Sequence, residues 1–284
     1  MHNVRIVSAE NSDTFLKFNP NNLIVAIDKA AHTKSTTITG MFIPIKHVVQ
    51  TGTTSFKLQT PEVSCYLTDC DPENPGKQYK TSLLLDSTNK DPSFLEEDVL
   101  LQKATVDILQ QFKQTCITQL TDRKQEFIEK FSEKKATKKI NQETWNYMIS
   151  SFEVVRPYVK TDNGRTDTSY YINPKVNNIK NFTTTFTHKG YNIPYEQAID
   201  KFLGKKIYCI ALISIDSLFF QATSNKLFVQ TKIDDLIVTR FPRSAPEKAL
   251  IPSRLQNIQN KDSDSESDTN DDKETGNETP FVES

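Results

Sequence analysis

Through the first ninety residues the apolar positions come in short runs broken by turn residues, which predicts a β-rich region. Runs at 15–18 and 23–27 flank Asn19-Pro20-Asn21-Asn22, a turn signal. Residues 36–49 are rich in β-branched side chains, and Pro44 among them points to an edge strand or a bulge. Phe56 and Leu58 alternate with Lys57 and Gln59, as a half-buried strand does. Segments 63–67 and 79–85 read as two more strands around the loop Asp71-Pro72-Glu73-Asn74-Pro75-Gly76.

At Asp91-Pro92, an acidic N-cap with proline at the first helical position, the period changes. Leu101, Ile108, Phe112, Cys116 and Leu120 recur at helical spacing as a core stripe, and Phe127, Ile128 and Phe131 mark a second helix. A short third helix is predicted at 145–149. The strand pattern returns at 152–160, and Thr161-Asp162-Asn163-Gly164 is the strongest hairpin signal in the chain, with 168–172 as the returning strand. Residues 182–187 predict another strand, and 194–202 a short helix closed by Gly204. A three-stranded meander follows at 207–215, 218–221 and 226–239, with turns at Asp216-Ser217 and Thr223-Ser224-Asn225. The expected fold class is α+β: β-rich over 1–90, helical over 91–150, β-rich over 151–241. Two linked sheets and one sheet built from both ends are equally compatible with this pattern. A proline-containing linker at 242–260 and a tail at 261–284 complete the chain.

Charge sets that tail apart. Residues 261–284 hold nine carboxylates against two lysines, a net charge of −7, whereas the other 260 residues carry 33 Lys+Arg and 27 Asp+Glu, a net of +6. Before Phe281 and Val282 the tail offers nothing apolar to bury, so it is expected to be disordered. Phe281 is its candidate partner-binding residue. Ser263 and Ser265, each with a carboxylate three residues on, are candidate phosphorylation sites. No run of about 18 apolar residues occurs, and residues 1–11 are too polar for a signal peptide, so an intracellular location, host cytoplasm or nucleus, is expected. Cys65, Cys70, Cys116 and Cys209 lack C-x-x-C spacing and are expected to be reduced, buried thiols.

Catalytic signatures are missing. The seven glycines are scattered, so no phosphate-cradling loop forms, and His2, His32, His47 and His188 lie far apart. No enzyme activity, cofactor or metal is expected. Instead, basic and aromatic residues interleave on the predicted strands. Phe56 neighbours Lys57, and Tyr79 precedes Lys80. Arg156, Tyr158 and Lys160 share one strand face, and Arg165 and Tyr170 follow in the hairpin. Lys134, Lys135, Lys138 and Lys139 crowd the end of the second helix beyond what its dipole needs. Cations neutralise phosphates and flat rings stack on unpaired bases, so these thirteen residues are the candidate contacts for single-stranded nucleic acid.

A basic β-rich body with an acidic tail bearing an aromatic near its end resembles single-stranded-DNA-binding proteins of replication systems. The helix from Asp98 to Leu120, the Phe152-Glu153-Val154-Val155-Arg156-Pro157-Tyr158-Val159 stretch and the segment 204–241 resemble those of large nucleocytoplasmic DNA viruses, the asfarvirus-like and poxvirus groups. The resemblance implies an OB-like (oligonucleotide-binding) barrel core and sequence-tolerant binding of single-stranded DNA in viral-type replication or repair. It also implies a tail that modulates DNA binding or recruits replication proteins. Phe281 departs from the pattern, because Val282-Glu283-Ser284 follow it. Two other classes fit the same composition: a virion or scaffold adaptor with a solubilising tail, and an acidic chaperone for basic proteins. A homo-oligomer and the absence of membrane contact are compatible with each.

Overall fold

The alternations above become strands and helices in the computed structural model, which describes residues 5–8, 11–16, 18–33, 39–49, 52–70, 78–85, 94–133, 140–162, 165–179 and 182–242, with side chains from 18 onward apart from those of 160–167. The first β-rich region holds β1 (Arg5–Ser8), β2 (Asn11–Leu16), β3 (Leu23–Val25), β4 (Ala31–His32), β5 (Gly40–Val49), β6 (Gly52–Thr54), β7 (Phe56–Gln59), β8 (Val63–Asp69) and β9 (Tyr79–Leu85). Three helices follow: α1 (Glu96–Asp122), α2 (Lys124–Ser132) and α3 (Gln142–Ser150). The second region comprises β10 (Arg156–Asp162), β11 (Arg165–Ile172), β12 (Lys175–Val176), β13 (Asn178–Ile179), β14 (Phe182–Thr183), β15 (Thr185–His188), β16 (Tyr191–Ile193), α4 (Tyr195–Phe202), β17 (Lys206–Gln221) and β18 (Lys226–Arg240). The chain divides after Pro242, and the second unit, Arg243–Ser284, lies outside the described residues.

Five strands close a barrel. β8 pairs with β9, β9 with β12, β12 runs parallel to β18, β18 pairs with β17, and β17 returns to β8. Every contact in this ring except β12–β18 is antiparallel, and α4 enters the chain between its third and fourth strands. This is a five-stranded Greek-key barrel of the oligonucleotide-binding type within an α+β chain. Alternate residues face inward, so Val63, Cys65, Leu83, Ile207 and Cys209 are buried. The four cysteines are free thiols; Cys65, Cys116 and Cys209 are buried and Cys70 half-buried.

β17 and β18 outrun the barrel. Past Cys209, the edge of β17 that β8 occupies passes to β7 and then to β5, so the first and second β-rich regions share one sheet. The expected meander is instead one long hairpin. Asp216-Ser217 is not a turn: the register slips between Ile215 and Ser217, a β-bulge with Ser217 opposite Pro44. Pro44 has no N–H to give β17, so the ladder yields there and an extra residue is absorbed. Pro44 is no edge residue either, because its carbonyl accepts from Ala26 N–H at 2.9 Å on the other side.

Helices cover one face of the extended sheet. Phe112 of α1 lies against Phe56, and Phe127 and Phe131 of α2 lie edge-on to Phe220. Gln119 of α1 serves the edge of β3 as a strand would, accepting from Val25 N–H at 2.8 Å and donating to the Leu23 carbonyl at 2.6 Å. The helix begins at Glu96, where the Asp98 carboxylate accepts from Leu95 N–H; Asp91 and Pro92 lie outside the described residues. β10 starts four residues later than the alternation suggested. Phe152, Val154 and Val155 are buried ahead of it as connecting backbone.

Candidate nucleic-acid interface

Strand register brings four lysines into one line on the outer face of the sheet. Lys80 of β9 stands opposite Lys175 of β12, and Lys175 opposite Lys232 of β18. Lys232 pairs with Ser214 of β17, which pairs with Lys57 of β7. Directly opposed like charges weaken a sheet, and neighbouring strands lie only about 4.8 Å apart. Two of the four are relieved from within: Lys232 Nζ is 2.7 Å from Asp216 and 4.1 Å above the Phe182 ring, and Lys57 Nζ is 2.7 Å from Asp234. Among the described residues, no carboxylate pairs with Lys80 or Lys175. Both are near enough to Cys70 to pull its thiol down against the burial that raises it. Like charges opposed with no carboxylate partner among the described residues make this a candidate place for an outside anion.

Rings flank this line on the same face. Two residues along β8 and β9, Tyr66 stands between Lys206 and Ser82 and is 44% exposed. One row further, Tyr171 lies between Leu84 and Arg156. In the other direction along β18, four residues and about 13 Å from Lys232, Phe228 pairs with Phe219 of β17, which pairs with Phe42 of β5. The Phe42 and Phe219 centroids are 4.6 Å apart, and Phe42 is 40% exposed. Gly40 makes room for this pair. A Cβ on it would stand 2.6 Å from the Phe219 ring and 2.5 Å from the Phe220 carbonyl.

The residues nominated from sequence fare differently. Phe56 is a correction: fully buried among Phe18, His47 and Phe112, it has no ring face left for a base. Tyr79 and Tyr170 are half-buried and pack against the core, their rings only partly open. Lys57 and Lys80 stand in the lysine line. Arg156 and Tyr158 are exposed on β10, Tyr158 at 51%. The β10–β11 hairpin forms as expected, with Asp162 opposite Arg165. The side chains of Lys160 and Arg165 lie outside the described set, as do Lys134, Lys135, Lys138, Lys139, Ser263, Ser265 and Phe281. Sequence reasoning missed Lys175, Lys232, Lys206, Tyr66 and the Phe42–Phe219–Phe228 row. Each looks like an ordinary strand residue until its partners from distant segments are known.

At the end of the barrel beside the lysine line, a cavity of about 520 Å³ opens between β9, β12–β13 and α4. Tyr79, Tyr195, Ile179 and Ile199 give it flat and apolar walls, and Asn177, Asn178, Glu196 and Asp200 its polar groups. Asn178 donates to Glu196 at 3.1 Å. Burial, with Tyr79, Glu196 and Cys70 adding, pushes the Tyr195 hydroxyl up to about 12, so it stays a neutral donor.

No family model and no curated protein matches the chain. Among solved structures, the chain is similar to the single-stranded DNA-binding protein of bacteriophage Enc34, at 11% identity over 80% of this chain and 99% of that one, with a TM-score of 0.35. The same phage protein in complex with single-stranded DNA matches at 11% identity over 76% and 97%, with a TM-score of 0.34. The bacteriophage T7 single-stranded DNA-binding protein gp2.5 matches at 10% identity over 75% and 100%, with a TM-score of 0.36. At TM-scores this low the overlaps carry no weight for what the present chain binds.

Proposed function

We propose that this chain binds single-stranded DNA, without marked sequence preference, along the outer face of the barrel and its extended hairpin. One observation carries this: the line Lys80–Lys175–Lys232–Lys57 runs between rows of half-exposed rings on a single sheet face. Lysines meet the phosphates, and Tyr66, Tyr171, Phe42, Phe219 and Phe228 offer flat surfaces to bases that only an unpaired strand exposes. Arg156 and Tyr158, exposed on the β10 face that Tyr171 shares, extend the same path, with Lys160 and Arg165 further along the hairpin; Tyr170 points to the other face and is not part of it. Such a protein acts where strands are separated, in DNA replication and repair; the viral setting rests on the sequence resemblance alone. No catalysis is part of this function, and the acidic tail regulates DNA binding or presents Phe281 to replication proteins.

The test is a salt series. Fluorescence anisotropy of labelled oligo-dT should show binding whose log K falls with log salt, at about −0.7 for each phosphate neutralised. Unlabelled single strand should compete far better than duplex of the same length. Salt-independent association, or duplex competing as well as single strand, overturns the proposal.

A further inference from the structure

β10 is a strand with one edge open. It pairs with β11 along its whole length, and among the described residues nothing pairs with its other edge. Arg156, Pro157, Tyr158 and Val159 are exposed in succession, so both faces of the strand stand clear of the core. Unpaired backbone groups beside exposed apolar side chains are a template for another strand, and charge or proline commonly blunts such an edge. Pro157 withholds one donor here. The charges, however, are ordered so that they do not repel a second copy of the same strand. Within its own hairpin Lys160 stands opposite Asp167, whereas Arg156 stands opposite Tyr171 and has no carboxylate across from it.

We infer that β10 is a self-complementary edge, and that two copies of this chain pair there, antiparallel, about a two-fold axis at Val159. Directly opposed residues of an antiparallel pair share a face, so such an axis can pass only through a residue position. Val159 is the middle residue of Arg156–Asp162, and an axis there overlaps the two strands in full. Arg156 of one copy then stands opposite Asp162 of the other, Pro157 opposite Thr161, Tyr158 opposite Lys160, and Val159 opposite itself. Each end of the pair matches a cation with a carboxylate, and each ring with an ammonium group. An axis at Tyr158 would set Arg156 against Lys160, and an axis at Lys160 would set that lysine against its own copy. Like charges directly opposed are destabilising, so charge selects the register about Val159. Pairing uses the edge and leaves both faces of the strand open, so it does not cover the face that carries Arg156 and Tyr158. The strand of seven residues a side falls short of the roughly 20–30 of a standard interface, which makes the dimer weak and concentration-dependent.

The experiment is sedimentation velocity of the full chain, without DNA, over a protein concentration series up to the limit of solubility. Wild type should dimerise reversibly. Arg156→Asp alone and Asp162→Arg alone each turn both symmetry-related pairs from attraction to repulsion, and each should weaken the dimer at least about tenfold. An equimolar mixture of these two variants should dimerise at least as well as wild type, because each offers the other the opposite charge at both ends. Val159→Lys tests the axis without touching the turn: two ammonium groups would meet there, and the variant should be monomeric with an unchanged melting temperature. A wild type that stays monomeric throughout the series overturns the pairing. Dimerisation of Val159→Lys or of the single charge variants at wild-type strength places any dimer elsewhere and overturns it too. So does a mixture of the charge variants that associates no better than either alone.

Discussion

Lys175 faces Lys80 on one side and Lys232 on the other, and function and stability pull against each other there. Lys175→Glu sets a carboxylate between two ammonium groups. Opposite-charge cross-strand pairs contribute a few tenths of a kcal/mol, so the melting temperature should hold or rise slightly. Oligo-dT affinity should fall at least tenfold, since a phosphate contact is lost and a repulsive charge added. A drop in melting temperature with affinity unchanged would make the lysine structural. Glu62 offers a contrasting ion pair that belongs to the fold. Burial pushes its carboxyl up, but hydrogen bonds from Arg240 and Thr239 and the guanidinium charge outweigh this and hold it below its usual value. Arg240 Nη2 is 2.6 Å from Glu62, and the guanidinium lies 3.9 Å over the Tyr208 ring. A depressed carboxylate stabilises above its unfolded value and loses that contribution as pH falls through the folded one. Glu62→Gln should therefore be destabilised at pH 7, and the gap to wild type in urea melts should close in acid. A gap that persists unchanged at acidic pH would assign the effect to packing.

The β10–β11 hairpin tests an element as a unit. Only its base is zipped to the barrel, through Tyr170, Tyr171 and Ile172 on β9, and Tyr158 and Val159 on opposite faces are both more than half exposed. Replacing Arg156, Tyr158 and Lys160 together by alanine should leave the melting temperature unchanged and weaken oligo-dT binding. Tyr158→Ala alone should cost about 1–3 kcal/mol if a base stacks on it. Full affinity in the triple variant would remove the hairpin from the DNA path. This element was legible in the sequence because Asp162-Asn163-Gly164 encodes its turn locally. Helix faces were legible for the same reason: Phe112, Cys116 and Leu120 repeat at a local period and are buried. Barrel closure was not, because Val63 meets Cys209 only through pairing across about half of the chain. Asp216-Ser217 misled because a polar pair inside an apolar run reads alike as a turn or a bulge, and the decision lies with Pro44 far away. The line of lysines was hidden for the same reason. Phe56 shows the converse: its alternation with Lys57 was right, but which face the helices cover is set by α1.

At the scale of the whole chain, the residues outside 261–284 carry a net +6 and that segment −7, joined by a short linker. A tethered segment meets the body at an effective concentration in the millimolar range, which makes even weak attraction consequential. Lys80 and Lys175 are open to it, since no carboxylate of the described residues pairs with them. If the tail visits the lysine line, it competes with phosphates for it and lowers the apparent affinity for DNA. The competition is electrostatic, with a screening length of about 30 Å at 0.01 M salt and about 3 Å at 1 M. A chain ending at Gln259 should thus bind oligo-dT more tightly than the full chain at low salt and equally at high salt. Phosphorylation at Ser263 and Ser265 would add about −1.5 to −2 charges each and widen the low-salt difference. Lys175→Glu supplies the internal control, because removing the cation that the tail and DNA share should shrink the effect of truncation. Equal affinities of the full and shortened chains at every salt concentration would leave the tail with no part in DNA binding, and Phe281 as its remaining candidate for a role.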